Sequence, residues 1–452
     1  MLRKRGYGNL FFSGLAILSL SACGGEDNSA SPQPASTQPA PIASPSPDPL
    51  AWQEVSPEEV GLSSEKLEEA ASLALRDGTY GQAFVVVKNG KIAFERYRGI
   101  SQQEADFAAP RIADLSAADL VNGYGVRDKD SSATSWSMAK SFTSILFGIG
   151  IDRGIVRSTQ DTVGLYLNEL ATDARSSITL RAVLDMRSGL VPMCSYPANR
   201  EARECGSEYA NGGNLIWVDD QMTPCLTRGL AQSGAQYPWW QNGTAPYPAG
   251  AWVYSNCDTM ILGEVLSRGQ GDHLSEWAER NLFSPIGMDA EWWRDNSQAR
   301  GGNVLSYCCI DATPRDFARL GQLVLNRGSY GGRQVISQSY IDSIIEAASQ
   351  QQAFYFAQFW FADTQSGQRF IVALGFDGQM MAVDVEHQIV VVRSSLYQPI
   401  LNATGERSML LKPNETQQSN WVGSLPQGMG VSYYAEYDFR KFLDLVSEAV
   451  VN

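Results

Sequence analysis

The sequence predicts an α/β (α+β) fold: an antiparallel sheet flanked by helices, with a second, all-helical lobe. Three observations predict it. Two strand-like runs near the N-terminus face each other across Asn89-Gly90, the middle of the chain reads as helices, and strand-like runs return near the C-terminus. A sheet drawn from both ends of a chain leaves the helical middle to pack as its own lobe. With 452 residues, the chain is long enough to build two lobes around one cleft.

Taken in order, the chain begins with a segment expected to be removed. Arg3, Lys4 and Arg5 form a positive start, and Leu10 to Leu20 supply an apolar stretch too short to span a bilayer permanently. Leu20-Ser21-Ala22-Cys23 resembles the lipobox of bacterial lipoproteins. That resemblance implies a signal peptide over 1–22 and lipidation of Cys23. Gly24 stands where an Asp would resemble an inner-membrane retention signal, so a periplasm-facing anchor in the outer membrane is expected. Residues 23–52 are rich in Pro, Ser and Ala and read as a semi-extended tether. The globular domain is expected over 53–452.

Within that domain, residues 64–76 read as an amphipathic helix capped by Ser63. Gly81–Lys88 and Lys91–Arg98 form a hairpin, because Asn-Gly suits a tight turn with positive φ. A largely apolar helix starts at Ser137. A short helix over 178–187 stops at Ser188-Gly189, and the Gly-, Pro- and Trp-rich stretch 191–250 reads as an elaborated insertion. Helices are expected at 257–268, 273–282 and 314–327, then strands at 354–362, 369–374, 379–385 and 388–395, then a helix from Ala435 to Val450.

The net charge of −14 argues against nucleic acid as a partner and against polybasic attraction to anionic lipid. Seven cysteines occur. With Cys23 lipidated, Cys194, Cys205, Cys225, Cys257, Cys308 and Cys309 remain, an even number that suits disulfides in an exported chain. Cys194 with Cys205, or either with Cys225, are candidates to staple 191–250. The spacings lack the paired pattern of a metal site and only His273 and His387 are there to assist, so no metal and no cofactor are expected.

Chemistry concentrates in Ser135-Trp136-Ser137-Met138-Ala139-Lys140-Ser141-Phe142. Residues three apart share a helix face, so the Ser137 hydroxyl and the Lys140 amine can touch. A serine becomes nucleophilic when a base takes its proton, and a buried lysine is partly neutral at working pH. The apolar residues from Phe142 to Ile151 provide that burial. A second Ser-x-x-Lys, Ser63 to Lys66, opens a polar helix and reads as a cap only. Tyr254-Ser255-Asn256 is the candidate second proton handler: Tyr-x-Asn also occurs at Tyr7, Tyr166 and Tyr209, but only Tyr254 follows a Pro-Ala-Gly turn and precedes a long apolar helix. The chain holds no Gly-x-Ser-x-Gly elbow, and His273 and His387 read as structural, which disfavours a Ser-His-Asp hydrolase.

Ser137-Met138-Ala139-Lys140, Tyr254-Ser255-Asn256 and the late triplet Phe376-Asp377-Gly378, in that order, resemble the class C β-lactamase-related serine hydrolases. Flanking text agrees over roughly residues 53 to 400, including Ala312-Thr313-Pro314-Arg315-Asp316 and Gly375-Phe376-Asp377-Gly378-Gln379. The resemblance implies a serine β-lactamase/penicillin-binding-protein-like fold and an acyl-enzyme on an ester or amide. In it, Ser137 attacks, Lys140 takes the proton or holds Tyr254 in its basic form, Tyr254 serves the leaving group and then water, and Asn256 orients. The backbone amides of Ser137 and Gln379 would form the oxyanion hole. Such sites usually open the third motif with a cation that holds a substrate carboxylate; here Phe376 and Asp377 replace it. With Gly378 and Trp252 they are expected to line the substrate site, which disfavours anionic lactams. The expected partner is a small ester or amide. The alternatives are a true β-lactamase or D-Ala peptidase, and a catalytically inactive binding lipoprotein on the same scaffold.

Overall fold

Strand β1 (Gln53–Glu54) leads into helix α1 (Ser64–Ala74) and the hairpin of β2 (Gly81–Lys88) and β3 (Lys91–Tyr97). Helices α2 (Gln102–Ala108) and α3 (Ala117–Tyr124) precede the short strand β4 (Ala133–Thr134) and the buried helix α4 (Ala139–Asp152). The middle holds α5 (Leu180–Leu184), α6 (Met222–Thr227), α7 (Asn256–Gln270), α8 (Leu274–Ala278) and α9 (Ser284–Ile286). Strands β5 (Ala290–Trp292) and β6 (Ile310–Ala312), helix α10 (Pro314–Leu325), the small hairpin of β7 (Ser329–Tyr330) and β8 (Arg333–Gln334), and helix α11 (Gln338–Ser349) follow. Strands β9 (Tyr355–Phe356), β10 (Phe359–Asp363), β11 (Arg369–Leu374), β12 (Met380–Asp384) and β13 (Ile389–Ser395) come next, and α12 (Phe439–Glu448) closes the chain. The structure is a computed structural model that describes residues 50–109, 116–191, 215, 220–237, 240–295, 297, 301–395 and 437–451, all within the unit Asp48–Asn452.

The main sheet has the order β1-β3-β2-β13-β12-β11-β10-β9, antiparallel except where β1 runs parallel to β3. Both chain ends meet at its centre, where Val86 on β2 pairs with Val391 on β13. Period-two alternation then sorts side chains to two faces. Val85, Val87, Val390 and Val392 turn toward the core shared with α4 and α10, while Phe84, Val86, Ile389 and Val391 pack beneath α1 and α12. The β2–β3 turn is of the expected kind, with Asn89 at φ 52° and Gly90 at φ 77°. A second sheet, β4-β6-β5, ties the chain before α4 to the segment before α10.

Several expectations change. The run 354–362 is a hairpin, not one strand, because Ala357 (φ 48°) and Gln358 (φ 64°) turn back on themselves without the usual Asn or Gly to signal it. Helix α4 starts at Ala139, and Ser137 sits in the 3₁₀ turn Trp136–Met138 just before it. Leu50 and Trp52, expected in the tether, pack on the core, with the Trp52 indole donating to the Arg315 carbonyl at 3.3 Å. Cys225 is bonded to Cys257, joining α6 to the first turn of α7 rather than stapling the insertion. Cys194, Cys205, the signal, most of the tether and Ala435 lie outside the described residues.

Helix α12 seals the face of the sheet away from the helical lobe. Phe442, fully buried, meets the Phe84 ring edge-to-face at 5.0 Å. Phe442→Ala is expected to lower unfolding stability by about 3–5 kcal/mol, read as a fall in the urea midpoint.

Candidate active site

Ser137 is presented by a strained turn. Trp136 carries φ 45°, a left-handed value that costs a bulky residue about 1–2 kcal/mol. The turn is held from outside: the Ser135 amide donates to the Ile310 carbonyl at 2.7 Å and the Ile310 amide to Ser135 Oγ at 2.8 Å. Lys140, in the first turn of α4, reaches back to it, with Nζ 3.0 Å from Ser137 Oγ.

Lys140 is 2% exposed. Its amine also donates to the Tyr307 carbonyl at 3.0 Å and lies 4.7 Å from the Tyr254 ring centre and 5.2 Å from that of Tyr307. Among the described residues no carboxylate forms an ion pair with it. Burial pushes the amine down to about 7, with the neighbouring Cys308 and Cys309 pulling the other way. Near neutral pH a large share of Lys140 is therefore uncharged and able to accept a proton.

Tyr254 immediately precedes Ser255, the N-cap of α7, whose hydroxyl accepts from the Asp258 amide at 3.1 Å. Burial pushes the Tyr254 hydroxyl above its ordinary value, and a hydrogen bond with Ser137 pulls part of the way back. The tyrosine thus keeps its proton while the lysine readily gives its own up. Asn256 opens α7 and is buried. Behind it, burial raises the Asp258 carboxyl to about 7, although Ser188 donates to it at 2.9 Å.

The late triplet forms the 3₁₀ turn Phe376–Gly378 at the end of β11. A Cβ built on Gly375 would lie 2.2 Å from the Ser135 carbonyl oxygen, so glycine lets this strand end press against the nucleophile's turn. The Phe376 ring sits 5.9 Å from that of Trp136. The Gln379 amide, expected in the oxyanion hole, donates to the Phe376 carbonyl at 3.2 Å. Its side chain bonds both ways with the Ser395 backbone, at 3.2 and 3.1 Å. Arg393, fully buried on β13, donates to the Gly378 carbonyl at 2.8 Å and steadies the turn. The side chain of Asp377 lies outside the described residues. Trp252 stands beside Tyr254, ring centres 6.2 Å apart.

Sequence reasoning missed three contributors. Tyr307 acts through its backbone carbonyl, which no side-chain pattern announces. Arg393 reads as one basic residue in an apolar strand. Gln358 is buried at the β9–β10 turn, where its Oε1 accepts from Thr259 on α7 at 2.7 Å and its carbonyl accepts from Ser141 on α4 at 2.8 Å. Ser63, the control serine, caps α1 by accepting from the Lys66 amide at 3.3 Å, and Lys66 pairs with Glu69 and Glu448.

The profile of the Beta-lactamase family matches residues 67–399, a span that contains Ser137, Lys140, Tyr254, Asn256 and the Phe376–Gly378 turn. The chain belongs to the beta-lactamase family. The mixed α/β architecture described above fits that membership. The 6-aminohexanoate-dimer hydrolase of Paenarthrobacter ureafaciens is 22% identical over 276 residues, 57% of this chain and 64% of that protein, so this chain spans less than two thirds of that relative. A Bacteroides dorei protein solved under a provisional beta-lactamase assignment superposes with TM-score 0.54 at 16% identity, over 86% of this chain and 100% of the other. EstCE1, described as a hydrolase with promiscuous acyltransferase activity, superposes with TM-score 0.51 at 14% identity, over 79% and 97%. At these identities the structural likeness speaks for the fold alone.

The Lys140 environment makes a signed prediction. With Lys140 as the base that the motif resemblance implies, kcat/KM for a neutral ester should fall about tenfold per pH unit below about 7 and level off above it. Lys140→Arg, which stays charged, should lower kcat/KM by on the order of a hundredfold or more and remove that inflection.

Proposed function

We propose that this beta-lactamase-family protein hydrolyses an uncharged or amine-bearing ester or linear amide through an acyl-enzyme on Ser137. The observation that carries the reading is the Lys140 amine, enclosed with no carboxylate partner among the described residues and 3.0 Å from Ser137 Oγ. As Ser137 Oγ bonds to the acyl carbon, its proton passes to Lys140 Nζ. The oxyanion is met by the amides of Ser137 and Gln379, the latter released from its 3.2 Å bond to the Phe376 carbonyl. Tyr254 gives its proton to the departing oxygen or nitrogen and is replenished from Lys140. Water, deprotonated by the same pair, then adds to the acyl carbon and releases the carboxylic acid, restoring Ser137.

Supporting the choice of substrate, Phe376 occupies the position where a cation would hold an anionic lactam or a peptide C-terminus. The relative from P. ureafaciens carries an amide-hydrolase name, which fits the same class. The Leu20–Cys23 segment supports placement in the cell envelope on a lipid anchor, facing the periplasm from the outer membrane.

Intact-mass spectrometry after a fluorophosphonate or p-nitrophenyl acetate should record one adduct, lost in Ser137→Ala; the absence of any adduct in the unaltered protein would defeat the proposal. Tyr254→Phe should lower turnover by about 10²–10⁴-fold while Tyr209→Phe leaves it unchanged. In a panel of p-nitrophenyl esters, a linear amide and nitrocefin, nitrocefin should be the poorest substrate. Separately, metabolic labelling with a radioactive fatty acid should mark the protein in a bacterial host, and Cys23→Ala should remove both the label and membrane sedimentation.

A further inference from the structure

Next to Tyr254 lies a group of aromatic rings that the reaction steps leave unused. Trp360, on β10, is 5.6 Å from the Tyr254 ring and inclined to it by 31°. Tyr355, on β9, meets Trp360 edge-to-face at 4.9 Å. Trp252 stands 5.5 Å from Trp360 and 5.1 Å from Phe354. Tyr254, Trp252 and Trp360 are only half-buried, and Phe354 is 45% exposed. A soluble core does not leave four neighbouring aromatic rings partly open, and such a surface beside a reactive group reads as a binding wall.

Its placement assigns it a side of the substrate. Tyr254 touches Ser137 through its hydroxyl, and in the proposed reaction it passes a proton to the leaving group. Whatever departs is therefore set against the Tyr254 edge of the cleft, where this wall begins. The wall is also held rigidly to the catalytic helices. The β9–β10 turn carries positive φ at both Ala357 and Gln358, and strain of this kind persists only where surroundings enforce it. Here the Ala357 amide donates to Asp185 at 2.9 Å, and the Gln358 side-chain amide donates to the Leu184 carbonyl at 2.8 Å. Thr259 on α7 and Ser141 on α4 complete the latch.

We propose that this hairpin wall, with Trp252 and Phe354 at its outer edge, is the leaving-group subsite and selects esters and amides of flat aromatic alcohols or amines. The proposal rests on the acyl-enzyme reading above and adds which half of the substrate is selected. Aromatic contacts of this type are worth a severalfold to tenfold preference each.

The test compares kcat/KM for 2-naphthyl acetate and phenyl acetate, whose leaving groups are of similar acidity, beside p-nitrophenyl hexanoate and p-nitrophenyl acetate. The unaltered protein should prefer the naphthyl ester about tenfold. Phe354→Ala and Trp252→Ala should reduce that preference to about twofold or less without altering the hexanoate-to-acetate ratio, and Leu165→Ala, at a distant exposed position, should change neither ratio. A naphthyl preference that survives both wall variants, or a change confined to the acyl series, would overturn the assignment while leaving the acyl-enzyme intact. If no ester is turned over and Ser137 never forms an adduct, the acyl-enzyme reading is what fails. The wall is then judged by calorimetry of 2-naphthol binding to Ser137→Ala. Binding weakened about tenfold by Phe354→Ala supports it, and no binding overturns it. Thermal melts of each variant report whether the fold is retained.

Discussion

An amine shut away from water, with no carboxylate beside it among the described residues, is the condition on which the rest of this site depends. Removing Lys140 from solvent penalises its charged form, and the Tyr307 carbonyl only partly repays the lost hydration. A carboxylate at the same distance would restore the charge. The surroundings answer that requirement consistently. Its nearest neighbours are two aromatic rings, a backbone carbonyl and a serine hydroxyl. The same enclosure pushes the Tyr254 hydroxyl up, so one buried space favours a protonated phenol and a neutral amine next to Ser137. Two groups with opposite tasks thus acquire them from a common desolvation.

Much of this was legible in the sequence, and the reasons are physical. Ser137 and Lys140 could be read because burial and i,i+3 spacing are both written in the local run of residues. Tyr254 stood out because a turn before it and an apolar helix after it place it at a helix start. The central strands could be read from alternation, and the β2–β3 hairpin from Asn89-Gly90. What escaped were features carried by the backbone or by distant contacts. The Tyr307 carbonyl has no residue signature. The bend at Ala357–Gln358 uses residues that seldom take positive φ, so nothing local announced it, and its enforcement comes from α4, α5 and α7. The partner of Cys225 was hidden for the same reason, since Cys257 comes near only through packing of α6 on α7.

The two strained turns occupy related positions. Trp136 holds a left-handed conformation one residue before the nucleophile, and Ala357–Gln358 hold theirs beneath the aromatic wall. Each is locked by hydrogen bonds from a different part of the chain, β6 in one case and the three helices in the other. Side chains that must meet a reacting atom are thereby fixed by neighbours remote in sequence, which gives more accurate placement than a short loop would on its own. Gln358 is the point at which the two helices bearing Lys140 and Asn256 are joined to the sheet.

The covalent link between Cys225 and Cys257 extends this fixation into the chemistry of the surrounding medium. Cys257 is the second residue of α7, so the bond grips the helix at the end that carries Tyr254 and Asn256. A sulfur–sulfur bridge endures in an oxidising compartment and is undone in a reducing one. The stiffness of the helix end beside Tyr254 is therefore coupled to where the chain matures: folded among reductants, the same sequence would keep its sheet but hold its tyrosine on a helix end freed from one of its anchors.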